Sequence, residues 1–194
     1  MSMTDRYLMF LRNTLKLYLI GAVLFFSLAR ASENAEDTSC NANAIPDFLS
    51  TKMKSSFIGW RIKNLGDFDE FNRAAWVKAK PSLCPGIASG HFINSQAKDY
   101  ALLLVPKDQK NQSYKIVVFS LKGEKVNSLA LERGRNKFVE RIAVSSIPPG
   151  KYSGAEDSPT VELKTDGIVV EALEAGSIIY YWSNGRFRKI IASE

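Results

Sequence analysis

Between Tyr100 and Val105 the chain reads YALLLV, a nearly unbroken apolar run without a charge. A strand with one wet face alternates apolar and polar residues. This run does not, so it predicts a strand in the centre of a sheet, covered on both sides. Everything after residue 98 extends the pattern, with short apolar segments joined by tight turns. Lys115 to Leu121 and Lys125 to Leu131 flank Gly123-Glu124. A two-residue loop there pairs Leu121 with Val126, Val118 with Leu129 and Ile116 with Leu131, which puts apolar groups on both faces and predicts cover on both. Lys137 to Ser145 is a further strand, ended by Pro148-Pro149-Gly150. Asp166-Gly167 and Asn184-Gly185 suit type I′ turns, where both central residues need φ > 0. The first would pair Thr165 with Ile168, Leu163 with Val170 and Val161 with Ala172. The second would pair Trp182 with Phe187, Tyr181 with Arg188, Tyr180 with Lys189 and Ile178 with Ile191.

Upstream, the pattern turns helical. Pro46 suits a first helical turn, with Phe48, Leu49 and Met53 on the apolar side. Phe57 to Leu65 reads as extended. Asp67 then resembles an N-cap with Glu70 three residues on, and Phe68, Phe71, Ala75 and Trp76 fall on one helical face. Pro81 ends this element, and Cys84-Pro85-Gly86 turns the chain. The expected fold is α+β: two short N-terminal helices followed by an antiparallel sheet of about seven strands in meander order, with a partly closed barrel as its variant.

The first 31 residues read as a cleavable secretory signal. Arg6, Arg12 and Lys16 precede the uncharged Leu17 to Leu28, and Ala29-Arg30-Ala31 offers small residues at −3 and −1. Twelve helical residues span only about 18 Å, short of a hydrocarbon core of ~30 Å. Residues 32–44 read as a flexible leader and 45–194 as a single domain, periplasmic or secreted, with no stable membrane insertion after cleavage. Four of the 26 Lys and Arg and one of the 20 Asp and Glu leave with the signal, so the net charge falls from +6 to +3. No basic run remains to suggest nucleic acid; Arg133, Arg135, Lys137 and Arg141 are spread along a strand edge. In an exported chain Cys40 and Cys84 most simply pair with each other.

The chemical inventory assigns no catalytic, cofactor-binding or metal-binding residue. His91 is the one histidine, and no C-x-x-C, P-loop, dinucleotide fingerprint or H-E-x-x-H is present. The acids Asp67, Asp69 and Glu70 suit a helix N-terminus, and Glu156-Asp157 sits in a Ser/Gly/Pro loop. Gly90-His91-Phe92 followed by Asp99-Tyr100-Ala101-Leu102-Leu103-Leu104 resembles a segment of exported bacterial proteins related to FG-GAP repeats. The family loop can bind calcium through Asp and Asn oxygens before an apolar strand. Here those positions fall on His91, Ile93, Ser95 and Gln96, and Asp99 alone keeps its acid, so the loop is expected to hold its shape through Asn94 or Ser95 and to bind no calcium. The resemblance implies a small, sheet-rich exported domain.

The last hairpin supplies the expected binding surface. Trp182 and Phe187 are assigned to the core. Tyr181, Arg186 and Arg188, with His91, are the candidate partner contacts, Tyr181 and Arg188 as a stacked pair. The leading functional expectation is a non-enzymatic module that binds another envelope or secreted protein, for instance as an inhibitor. The alternatives are an envelope hydrolase using two carboxylates about 5–10 Å apart and a carrier of small apolar ligands with an internal cavity of several hundred Å³. Mass spectrometry of the secreted protein should show a chain beginning at Ser32; a full-length, membrane-embedded product would contradict the signal assignment.

Overall fold

Leu103 uses both of its backbone groups to join two strands. Its N–H donates to the Gly86 carbonyl (2.9 Å), and its carbonyl accepts from the Lys63 N–H (2.9 Å). On one side of Leu103 the central strand β3 (Asp99–Pro106) pairs with β2 (Ile87–Gly90). On the other it pairs with β1 (Trp60–Ile62), so β1 and β2 share one edge of β3 end to end. A Cβ at residue 86 would lie 2.2 Å from the Lys63 carbonyl oxygen, so this crossing requires glycine. These coordinates come from a computed structural model that describes residues 40, 44–93, 96–108, 113–123, 125–135, 139–155 and 159–193. The expected signal, and the expected leader apart from Cys40 and Ala44, lie outside the described residues.

The first sheet continues from β3 to β4 (Ser113–Lys122) and β5 (Lys125–Arg135), all antiparallel. Both faces of β3 are buried, as the continuous apolar run demands. Ala101 and Leu103 face an inner core, while Leu102 and Leu104 face α1 (Asp47–Ser56). That helix begins after Pro46 and rests Leu49 on Leu102, Leu104, Val117 and Phe119. A second sheet runs in the order β11 (Arg186–Ser193), β10 (Gly176–Ser183), β9 (Gly167–Ala172), β6 (Ile142–Ile147). Its Ile142, Val144, Ile168, Val170 and Tyr180 close the inner core against the first sheet. β7 (Gly150–Tyr152) and β8 (Val161–Leu163) form a small third sheet, which packs on the outer face of the second through Leu163, Val169, Ile179 and Ile190. Across the sandwich, Glu132 on β5 accepts hydrogen bonds from both Tyr114 and Tyr180, one phenol from each large sheet. Burial, reinforced by that carboxylate, holds both phenols well above their ordinary titration range.

Among the described residues the architecture is therefore a mixed α+β fold of three separate sheets with five, four and two strands, not one meander of about seven, and none of these closes into a barrel. The reason lies after β5. Val139–Arg141 makes a one-turn 3-10 helix that moves the chain to a second layer, where Ile142 and Val144 bury against the first. The helices are not N-terminal either. They lie mid-sequence, within residues 47–79, because β1 pairs with β3 between α1 and α2 (Glu70–Ala79). The N-cap of α2 is Asp69, accepting from the Asn72 N–H at 2.8 Å, not Asp67. Asp67 instead closes a 3-10 turn and pairs with Arg61. On α2 the buried residues are Asn72 and Trp76, while Phe71 is exposed.

The Gly123-Glu124 hairpin keeps its expected pairs Leu121–Val126 and Val118–Leu129, but a bulge at Leu131 places Glu132 opposite Ile116. β5 is mostly exposed, whereas β4 is covered. Asp166-Gly167 makes no hairpin. Both edges of β9 are occupied, by β6 and β10, and β8 pairs with β7 instead. Asn184 (φ 51°) and Gly185 (φ 76°) do form a left-handed turn, and all four expected pairs of that hairpin are present.

At the base of the crossing lies Lys63, fully buried, its Nζ donating to the Val139 carbonyl (2.6 Å) and lying 4.1 Å from the centre of the Phe68 ring. Desolvation brings its pKa down to about 7, against partial support from Asp67, Glu140 and Asp69. The unfolded lysine titrates near 10.5. Between these values the unfolded chain holds the extra proton, so stability rises with pH. Lys63→Met should therefore flatten the pH profile: urea denaturation between pH 7 and 10 should show the wild type gaining on the variant by up to about 1.4 kcal/mol per pH unit. A pH-independent difference would contradict this.

Candidate functional site

Alternation along β6 and β9 sends Ala143, Ser145 and Ile147, and Val169 and Glu171, to the outer face of the second sheet. α2 covers one part of that face, with Trp76 and Phe68 on Ala143. The small β7–β8 sheet covers another. Next to these an open cleft of about 680 Å³ remains, lined by Lys80 and Leu83 after α2, by Ser145 to Ile147 and Val169, and by the turn from Glu171 to Ser177. A mixed lining of this kind suits an oriented ligand more than a purely apolar one.

The polar groups of the cleft are connected. Lys80, just past the end of α2, is an ion-pair partner of Glu171. Its Nζ also donates to Ser145 Oγ (3.1 Å) and lies 4.7 Å from the centre of the Trp76 ring. Ser145 Oγ in turn donates to Glu171 Oε1 (2.8 Å). The three N–H directions of an ammonium are thus met by a carboxylate, a hydroxyl and a ring face. Trp76 is fixed for this role by its indole N–H, which donates to the Leu83 carbonyl (2.8 Å). Lys80 and Glu171 are each mostly buried. Glu174, at the tip of the β9–β10 turn, adds a second, exposed carboxylate from a left-handed backbone (φ 64°).

The residues expected from sequence lie elsewhere. Tyr181 packs half-buried against Leu163, Val169 and Ile190, and Arg188 opposite it is exposed; the stacked pair is not among the cation–ring contacts of the described residues. Arg186 and Arg188 are on the same face as the cleft but toward the other hairpin end of β10, about 20 Å and about 13 Å along the strand at ~3.3 Å per residue. Trp182 and Phe187 meet edge to face, half-buried, with 5.0 Å between ring centres.

His91 is exposed on a loop, its Nδ1 within 3.1 Å of the Ala97 carbonyl and its backbone N–H donating to Asp166 Oδ2 (2.7 Å). Asn94 and Ser95 lie outside the described residues. The acid that organises this loop is Asp99, buried and accepting from the Ile93 N–H (2.8 Å); burial raises its pKa. Among the described residues, no three of His, Cys, Asp and Glu come together as a metal would need. No helix among them is long and apolar enough to cross a membrane. Cys40 and Cys84 are bonded, with Cα atoms 4.9 Å apart.

Sequence reasoning missed Lys80, Ser145 and Glu171. The available signal was a serine and a glutamate on the outward positions of two strands whose inward positions are Ile and Val. What sequence could not give is that α2 folds back to bring a lysine over them. Compared with family models, with curated proteins and with solved structures, the chain matches none.

Because Lys80 and Ser145 both depend on Glu171, Glu171→Gln should cost about 2 kcal/mol in urea denaturation. In a double-mutant cycle with Lys80→Met, the pair should couple by about 1 kcal/mol or more. Strict additivity would mean that the network is not formed in solution.

Proposed function

We propose that this chain is an exported, non-catalytic binding protein that takes a group of its ligand or partner into the cleft beside Ser145 and Glu171. The observation that carries the reading is a cleft of about 680 Å³ whose polar groups bond one another. A serine nucleophile would need a base free to remove its proton. The carboxylate that accepts from Ser145 is already the partner of Lys80. The site supplies shape, apolar surface at Leu83, Ile147, Val169 and Leu173, and fixed polar groups for orientation, which is what recognition uses. Export is supported by the signal-like first 31 residues and by a disulfide linking positions 44 residues apart, a bond that persists in oxidising compartments.

Leu83 lines the cleft and its side chain is largely exposed, so Leu83→Trp should fill it at little cost to folding. With the secreted protein, chemical cross-linking in an envelope extract should yield a partner adduct that Leu83→Trp abolishes while the melting temperature stays within a few degrees. A panel of ester, amide and glycoside substrates should show no turnover attributable to the cleft. Turnover that disappears in Ser145→Ala, or an adduct indifferent to Leu83→Trp, would overturn the reading.

A further inference from the structure

Two acids and one base line the cleft, and the base is already engaged. Each N–H direction of the Lys80 ammonium meets a partner: Glu171, Ser145 and the Trp76 ring. Glu171 receives both of its hydrogen bonds on Oε1; among the described residues no donor is recorded at Oε2. Glu174 stands at the rim, exposed. Of its charged groups, the cleft therefore still offers a ligand acceptor oxygen and negative charge, in a chain whose net charge is positive. Beside these acceptors lies the apolar surface of Leu83, Ile147 and Val169.

Resting on the reading of this cleft as a binding site, we propose that its ligand group is an organic cation on an apolar stem, a primary alkylammonium, whose charge meets Glu171 and Glu174 while its stem lies on Ile147 and Val169. The backbone at Glu174 supports the assignment. At φ 64° a residue with a Cβ is strained and glycine is not, so a carboxylate is kept at the rim at a cost to folding. The excess of carboxylate also gives the cleft a local field of the sign that draws in cations. An alkylammonium of this kind comes either from a free amine or from a lysine side chain of a partner.

The test is calorimetric titration of the secreted protein with hexylamine, hexanoate and hexanol, and with a doubly blocked Gly-Lys-Gly peptide. Hexylamine should bind saturably, at least tenfold more tightly than hexanoate or hexanol, and more weakly as salt is raised. Tighter binding of the peptide assigns a partner lysine, and tighter binding of hexylamine a free amine; either supports the proposal. Glu174→Gln should weaken hexylamine about threefold. Glu174→Gly should weaken it similarly while raising the melting temperature, an opposition that simple destabilisation would not produce. Equal or tighter binding of hexanoate or hexanol would overturn the cation assignment and leave the cleft a binding site. If none of the four binds, the assignment also fails. The broader reading then stands or falls with the Leu83→Trp cross-link.

Discussion

The backbone contact at Leu103, where Lys63 and Gly86 meet, is the constraint on which the rest of the structure depends. β3 can offer one edge to two strands only if the chain leaves β1 and returns to β2 at the same point, and glycine at 86 is what lets the two backbones come that close. Residues 64–85 therefore form an excursion closed at its base. α2 lies on this excursion, and with it Trp76 and Lys80. The Cys40–Cys84 bond fastens the segment before α1 to the same base. Lys63 fills the space beneath with an amine held by the Val139 carbonyl and the Phe68 ring. Position in the fold passes from this crossing to α2 and from α2 to Lys80.

The second requirement is that two sheets bury one another. The inner core draws Ala101, Leu103, Ile116 and Val118 from one sheet and Ile142, Val144, Ile168 and Val170 from the other. Glu132 adds a polar tie near the open side, where Tyr114 lies over Gly134 so closely that a Cβ there would come within 2.6 Å of its ring. Burying the inner face of the second sheet fixes the orientation of its outer face. That orientation presents Ser145 and Glu171 to Lys80. The cleft is thus a product of strand alternation and of the excursion together, and neither alone would make it.

Local chemistry was legible in the sequence, and layer assignment was not. Asn184-Gly185 specified its turn and register completely because the left-handed conformation and a two-residue loop leave one pairing. The run from Tyr100 to Val105 announced a central strand because both of its faces lacked polar groups. Cys40 and Cys84 were the two cysteines available and paired. Asp166-Gly167 misled because the same dipeptide suits a turn or a strand start, and the choice was made by β6 and β10, which occupy both edges of β9. Phe71 suggested an apolar helix face, but the side of α2 that packs on the sheet carries Asn72 and Trp76 and leaves Phe71 in solvent. The candidate contacts Tyr181, Arg186, Arg188 and His91 were chosen by residue type. Lys80, Ser145 and Glu171 are common surface types, and only the path of the chain brings them together.

If the contact at Leu103 holds the excursion and thereby α2, these parts must open together. Native-state hydrogen exchange on the secreted protein in increasing sub-denaturing urea measures this directly. The Leu103 amide, the α2 amides from Arg73 to Lys80 and the Trp76 indole N–H should converge on one opening free energy. An α2 that exchanges through a separate opening of lower free energy, while Leu103 remains protected to the global limit, would contradict the account.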